Sequence, residues 1–216
     1  MLNFIVQKLH KEGYRFVAAA ALITFILLLI NNYLGLIGLV ITIWVYYFFR
    51  DPERFPIKDE NYLLSPADGK ITQIEEVNGP KELGLEGKKY TRVSVFMDVL
   101  ACHVNRVPYT STIESIFYKP GKYINATLDK ASEDNERNYL KLKNSEGDKV
   151  IVVQIAGMIA RRIVCEIREN EETKQGDRCG IIRFGSRVDL YFENYQLMVQ
   201  QNQKTIGGET IIGKKK

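Results

Sequence analysis

The chain has 216 residues, with 30 Lys+Arg against 26 Asp+Glu and a formal net charge of +4, enough for an apolar segment plus one soluble domain of ordinary size. The basic residues are scattered among the acidic ones and form no stripe interleaved with aromatics, which argues against nucleic acid as a partner and leaves a membrane surface as the better use of the charge. Three cysteines (Cys102, Cys165, Cys179) form no CxxC pair, and His10 and His103 are the two histidines, so neither a disulfide framework nor a metal site is expected.

Residues 16–30 are an apolar run, Asn31-Asn32 interrupts, and residues 33–49 are apolar again. A signal peptide is disfavoured because no small-residue cleavage site follows and a second apolar run arrives at once. Apolarity on every side, over two runs, suits lipid better than the core of a small domain. Each run is short for a spanning helix, reaching roughly 22–26 Å against a hydrocarbon core of about 30 Å. The expectation is a helical hairpin turning at Asn31-Asn32 that thins the bilayer or dips into it. Lys8, Lys11 and Arg15 precede the hairpin and Arg50 and Arg54 follow it, which places both ends on the cytoplasmic face of the cell membrane. Tyr33, Trp44, Tyr46 and Tyr47 suit its interfaces.

Asp51-Pro52-Glu53-Arg54-Phe55-Pro56 breaks the helical pattern, dividing the chain into a membrane-anchoring hairpin (1–50) and a β-rich domain (51–216). Beyond it, residues 70–77, 89–97, 112–118, 149–156, 161–168, 180–184 and 188–192 favour β-branched and aromatic side chains. Turn signals punctuate them, among them Ala67-Asp68-Gly69, Asn78-Gly79-Pro80 and Glu146-Gly147-Asp148. Residues 122–143 are the polar exception, read as a loop or a short helix around 131–137, and Lys214-Lys215-Lys216 reads as a solvated tail. The fold class expected is mainly β, a compact antiparallel sandwich or barrel-like domain preceded by an N-terminal α-helical membrane hairpin.

The chain has no GxGxxG, no P-loop, no HExxH and no GxSxG, which removes the usual dinucleotide, nucleotide, zinc-protease and hydrolase signatures. Four groups of residues can carry chemistry. Phe184-Gly185-Ser186 lies between two β runs; glycine permits a strained backbone there, and a serine hydroxyl can attack the preceding carbonyl if a base removes its proton. His103, in Cys102-His103-Val104-Asn105-Arg106-Val107-Pro108, is the one histidine of the soluble part and so the one imidazole available for proton transfer near neutral pH. Asp68, in Ser65-Pro66-Ala67-Asp68-Gly69-Lys70, is a carboxylate able to orient that imidazole, with Asp98 as a competitor nearer in sequence. The fourth group is the polar run from Gly121 through Asn125 to Arg137.

These groups stand in longer strings: FFRDPERFP from Phe48, SPADGKI from Ser65, HVNRVP from His103, GKYINATLDKASEDNER from Gly121, IARRI from Ile159 and IRFGSRVDLYF from Ile182. Over almost its full length the chain resembles the short-form (type A), pyruvoyl-dependent phosphatidylserine decarboxylase proenzymes. That resemblance implies self-cleavage between Gly185 and Ser186 into a β chain (1–185) and an α chain (186–216) that stay together as a heterodimer. It also implies conversion of Ser186 into a covalent pyruvoyl group, the pyruvate cofactor, with no metal. The pyruvoyl carbonyl would condense with the amine of phosphatidylserine and take up the electrons released with CO₂, giving phosphatidylethanolamine. Asp68, His103 and Ser186 match the family's self-cleavage triad. Longer bacterial members have a second histidine where this chain reads Asn105-Arg106, so His103 serves both self-cleavage and decarboxylation or another group takes one task. Arg161, Arg162, Arg183 and Arg187 are candidates for the lipid phosphate. Two alternatives are a decarboxylase of another serine lipid, of archaetidylserine type, and a membrane-tethered, lipoyl-like β module without activity.

Overall fold

The computed structural model describes residues 7–122, 134–157, 162–183 and 186–216, and the chain divides into one compact unit up to Glu53 and a second from Arg54 onward.

The first unit is a pair of apolar helices, α1 (Tyr14–Ile30) and α2 (Asn32–Phe48). With the short 3-10 turn before it, the first helical stretch runs continuously over Lys11–Ile30, long and apolar enough to cross a membrane, whereas α2 is shorter. The turn is tighter than the Asn31-Asn32 interruption suggests: Asn32 already opens α2, and Asn31 alone connects the helices. Its side-chain oxygen accepts the Tyr33 amide at 2.8 Å and the Leu34 amide at 3.4 Å, capping α2, while its own N–H caps α1 at the Leu27 carbonyl. Small residues bring the helices together. A Cβ at Gly35 would stand 2.2 Å from Leu28 Cδ2, and one at Gly38 would stand 2.9 Å from Thr24 Oγ1. Thr24 and Thr42 share a 2.8 Å hydrogen bond across the pair, the close contact that small residues allow between apolar helices. Leu22, Phe25, Leu29, Leu36, Val40 and Ile43 remain exposed on the outer faces.

The second unit is built of β1 (Tyr62–Leu64), β2 (Gly69–Asn78), β3 (Lys89–Met97), β4 (Val104–Arg106), β5 (Ser111–Lys119), β6 (Arg137–Lys143), β7 (Lys149–Ala156), β8 (Ile163–Cys165), β9 (Glu172–Thr173), β10 (Arg178–Ile182), β11 (Ser186–Phe192), β12 (Tyr195–Leu197), β13 (Lys204–Thr205) and β14 (Ile211–Lys215). Eight of these form one curled antiparallel sheet in the order β13-β2-β3-β11-β7-β6-β5-β9. Register shifts in β2 between Ile71 and Gln73 and in β5 between Ile113 and Ser115 fit that curl. Two three-stranded sheets, β4-β10-β8 and β1-β14-β12, supply Ile163, Cys179, Ile182, Leu63, Tyr195 and Ile212 to the main core, where they meet Met97, Ala156, Val188, Leu190 and Phe192 of the large sheet. Tyr90, Tyr139, Ile151, Val153 and Ile155 form a smaller cluster from the alternate residues of the large sheet. The mainly β architecture with an apolar helix pair agrees with the fold expected from sequence.

Three local expectations change. Residues 137–143 are a strand, β6, paired on both sides. Its lysines hide it from a composition reading, but Lys141 is paired with Glu114 at 3.2 Å. Residues 123–133, the rest of that polar run, lie outside the described residues. The strand expected over 161–168 shrinks to β8, with Arg161 outside the described residues. The lysine-rich end is no tail: β14 runs between β1 and β12, and Lys215 binds both Asp148, at 2.8 Å, and Glu146.

Candidate active site

β11 lies at the middle of the large sheet, and Ser186 is its first residue, opposite Met97 of β3 on one side and Ala156 of β7 on the other. The alternation of a strand sends Ser186, Val188, Leu190 and Phe192 to the main core. Burial of those three apolar side chains, worth roughly 1.5–3 kcal/mol each, anchors the strand. Ser186 itself is 0 % exposed, and among the described residues its hydroxyl has no hydrogen-bond partner. An unpartnered buried hydroxyl costs on the order of 1–3 kcal/mol, so packing alone does not account for a serine here. Gly185 and Phe184 lie outside the described residues.

His103 is also fully buried, just before β4. Its carbonyl accepts the Ile182 amide at 3.3 Å, tying it to the end of β10, four residues before Ser186. Its Nδ1 lies 3.0 Å from the Ala101 carbonyl. A carbonyl only accepts, so Nδ1 is the donor in this contact. Asp98 shapes this loop instead of touching the ring: its Oδ1 accepts the Leu100 and Ala101 amides at 2.8 and 3.0 Å.

Asp68 sits in the turn that enters β2. Its Oδ2 takes Arg54 Nη2 at 2.6 Å and its Oδ1 takes the Gly207 amide at 2.7 Å. The Nδ1 position that a triad carboxylate occupies is thus filled by the Ala101 carbonyl, and Asp68 is held by a cation and a backbone turn. That turn also reaches Arg106, because a Cβ at Gly208 would stand 2.9 Å from Arg106 Cδ. Arg106 is buried and donates to the Gly176 carbonyl at 3.0 Å.

The arginines divide. Arg187 is buried and points away from Ser186, in a bidentate pair with Asp189 (Nε–Oδ1 2.6 Å, Nη2–Oδ2 2.8 Å), which removes it as a partner for a lipid phosphate. Arg162 is exposed and its carbonyl accepts the Arg183 amide at 3.2 Å, so both lie on the segment leading toward Ser186. A cavity of about 290 Å³ is lined by Arg92, Arg137, Asp189 and Tyr191, and by neither Ser186 nor His103. Burial pushes the Cys179 and Cys165 thiols up, which keeps them protonated and makes them poor rivals to Ser186 as nucleophile.

One polar chain escaped the sequence reading. Asn138 Nδ2 donates to Gln154 Oε1 at 2.9 Å, Gln154 Nε2 donates to Asn105 Oδ1 at 2.8 Å, and Asn105 Nδ2 lies 3.5 Å from Met97 Sδ. All three amides are buried. The available signal was Gln154, a lone polar residue in the apolar run Val150-Ile151-Val152-Val153-Gln154-Ile155-Ala156.

The sequence matches the family described as phosphatidylserine decarboxylase over residues 41–213, a span that includes Asp68, His103 and the 185–186 junction. It is 60 % identical over 215 residues, covering 100 % of both chains, to the phosphatidylserine decarboxylase proenzyme of Pelagibacter ubique (strain HTCC1062). It is 50 % identical over 219 residues to the proenzymes so named of Rickettsia typhi (strain ATCC VR-144 / Wilmington) and Rickettsia prowazekii (strain Madrid E), covering 99 % of this chain and 94 % of each relative. With a family match over residues 41–213 and full-length likeness on this scale, the chain belongs to the phosphatidylserine decarboxylase family.

Proposed function

We propose that this chain decarboxylates phosphatidylserine to phosphatidylethanolamine at the cytoplasmic face of a membrane, after cutting itself at Gly185-Ser186 and turning Ser186 into a pyruvoyl group. The observation that carries the reading is the Ser186 hydroxyl, fully buried and, among the described residues, unpartnered at the head of the central strand. That orphaned oxygen, on a strand paired with β3 and β7, fits a residue kept for chemistry.

In self-cleavage, His103 Nε2 takes the Ser186 hydroxyl proton and the oxygen bonds to the Gly185 carbonyl carbon. The Gly185–Ser186 C–N bond then breaks, the nitrogen takes up the proton, and an ester remains. Loss of the Ser186 α-proton expels the Gly185 carboxylate and leaves a dehydroalanine at 186. Its imine tautomer takes up one water and releases ammonia, so the products are a carboxylate-terminated 1–185 chain, a 186–216 chain with a ketone at its head, and ammonia. Asp68 is the acidic member of the site. Its charge offsets the imidazolium, while its bonds to Arg54 and Gly207 hold the Gly207-Gly208 turn.

When formed, a pyruvoyl group supplies an electrophilic carbonyl that accepts the electron pair left when CO₂ departs. The chain's own part is placement. β11 remains paired to β3 and β7 after cleavage, so residue 186 keeps its position. The buried setting limits water, and His103 holds and returns the proton delivered to carbon. The apolar helix pair keeps the catalytic unit at the surface where a bilayer lipid can offer its head group.

Intact-mass measurement of the purified full-length chain tests the reading. Two fragments split after residue 185, the smaller with a ketone in place of its N-terminal amine, together with CO₂ released from phosphatidylserine vesicles, are expected. A single uncut chain retaining an ordinary serine at 186 would overturn it. CO₂ from an ether-linked serine lipid at the expense of phosphatidylserine would reassign the substrate.

A further inference from the structure

The face of the large sheet opposite Ser186 carries a row of cations. Lys119 of β5 lies directly opposite Arg137 of β6, Arg137 lies opposite Ile155 of β7, and Ile155 lies opposite Arg187 of β11. Directly opposed residues share a face, and like charges so placed destabilise the sheet unless an anion meets them. Two of the three cations have their counter-charge: Lys119 Nζ donates to Glu82 Oε1 at 3.0 Å, and Arg187 holds Asp189. Arg137 has no carboxylate among the described residues. Its Nη1 donates to Tyr139 Oη at 2.9 Å, while its Nε and Nη2 are buried with no hydrogen-bond partner there. Buried N–H groups without an acceptor carry their full desolvation penalty, larger still on a charged group. Packing alone therefore does not account for Arg137.

The unpaired edge is shaped for one kind of partner. Nε and Nη2 present two parallel N–H groups, the same edge by which Arg187 takes both oxygens of Asp189 at 2.6 and 2.8 Å. Such a fork matches two oxygens carried on one atom. Arg137 is also a wall of the cavity of about 290 Å³, whose other walls come from this sheet face and from the 79–88 loop joining β2 to β3. Leu83 and Leu85 hold that loop down on the Tyr139, Val153 and Ile155 cluster. Of the carboxylates lining the cavity, Glu82 and Asp189 are bound to Lys119 and Arg187. Glu86 is exposed on the loop and is balanced by the equally exposed Lys81. Arg92, a further cation of the wall, is paired with Glu75 at 2.7 Å. The volume lies near the low end of the roughly 300–1,000 Å³ of ligand pockets, a size for a small anion.

We propose that this cavity is an anion site in which the Nε–Nη2 edge of Arg137 takes two oxygens of a phosphate group, carried by a small soluble phosphate or by a phospholipid head group. A carboxylate offers only the two oxygens that the edge uses. A phosphate keeps further oxygens for the other cations of the wall, Lys119 and Arg92. The Tyr139 hydroxyl on Nη1 holds the guanidinium from its far side, so the fork is oriented before the anion arrives. The site is separate from the chemistry at Ser186, because it lies on the other face of β11 and neither Ser186 nor His103 lines it. It stands whether or not the chain cuts itself.

The test is titration calorimetry of the purified full-length protein in an uncharged detergent at constant ionic strength. Two probes are used: inorganic phosphate, and glycerophosphoglycerol, the acyl-free head group of a phospholipid. Wild type should bind one probe or both at a single site. Preference for inorganic phosphate assigns a soluble phosphate, and preference for the diester assigns a lipid head group. Arg137→Gln and Arg137→Lys should each weaken binding by about ten-fold or more, the second because a point charge does not reproduce the fork. Lys81→Gln, which removes an exposed cation of the same wall, should change it little. Absence of binding to wild type, undiminished affinity in either Arg137 variant, or an equal loss in Lys81→Gln would overturn the proposal. If Arg137→Gln does not fold, Arg137→Lys decides, since it keeps the charge and most of the apolar stem.

Discussion

Arg54 and Asp68 form a 2.6 Å ion pair with both side chains largely buried, and the second carboxylate oxygen of Asp68 is taken by the Gly207 backbone amide. A carboxylate with these two partners does not also hold His103 Nδ1, which donates to the Ala101 carbonyl. Asp68→Asn weakens the charge-assisted bond to Arg54, worth roughly 1–2 kcal/mol, and removes the charge that the proposed mechanism sets against an imidazolium. Self-cleavage should slow about ten-fold, well short of the roughly 10⁴-fold loss expected where the carboxylate sets the histidine tautomer. Gel time courses of Asp68→Asn measure the difference, and a complete block would return Asp68 to a direct role on the ring.

On the proposed mechanism, replacement of His103 by Gln should abolish self-cleavage, because it removes the proposed base. Normal processing of His103→Gln would move the base elsewhere. The same variant also gives an uncut background in which Ser186 can be judged for stability alone. There, Ser186→Ala should raise unfolding stability by about 1–2 kcal/mol, since it removes a buried hydroxyl without a partner. Urea midpoints of His103→Gln with and without Ser186→Ala check this, and a loss of stability would show that the hydroxyl is satisfied after all. A residue that destabilises the fold it sits in is what a reactive position requires.

The two fragments should stay together after cleavage, because β11 remains hydrogen-bonded between β3 and β7 and β14 between β1 and β12. Lys215 on the small fragment binds Asp148 on the large one, and this hydrogen bond is the leading cause that holds the Asp148 carboxyl below its ordinary value of 3.8. A lowered folded-state pKa means stability present above the unfolded value and lost as pH falls through the folded one. The Lys215–Asp148 link therefore contributes at neutral pH and fades below about pH 4. Lys215→Met should loosen the fragment pair at pH 7 and make little difference near pH 2, read as the urea concentration that separates the fragments on size exclusion. Equal differences at both pH values would remove the link from the account.

Gly35 and Gly38 set the spacing of the apolar helices. Gly35→Leu should separate them, because even a Cβ at this position would stand 2.9 Å from Leu28 Cα. A Thr24→Cys, Thr42→Cys pair replaces a 2.8 Å hydroxyl contact and should form a disulfide readily under mild oxidation. Adding Gly35→Leu should reduce cross-linking several-fold while vesicle binding persists, since the outer apolar faces are unchanged. Undiminished cross-linking would mean that the small-residue contact does not set the spacing.

The helix pair and the strands β3 and β7 were legible in the sequence. Apolar runs and β-branched alternation are local patterns, and both depend on a residue's neighbours along the chain. Strand β6 and the paired lysine end were not legible, because their charges are offset by Glu114, Asp148 and Glu146, which are remote in sequence. The candidate site divides in the same way. Ser186 and His103 could be named as candidates only through the resemblance of the strings around them to a known family. Which group fills Nδ1, where Asp68 turns, why Arg187 is withdrawn and how Asn105 comes to face Met97 were decided by tertiary structure alone. Each depends on strand register and on one sheet packing over another, and a hydrogen bond between residues 49 positions apart leaves no trace in either local stretch.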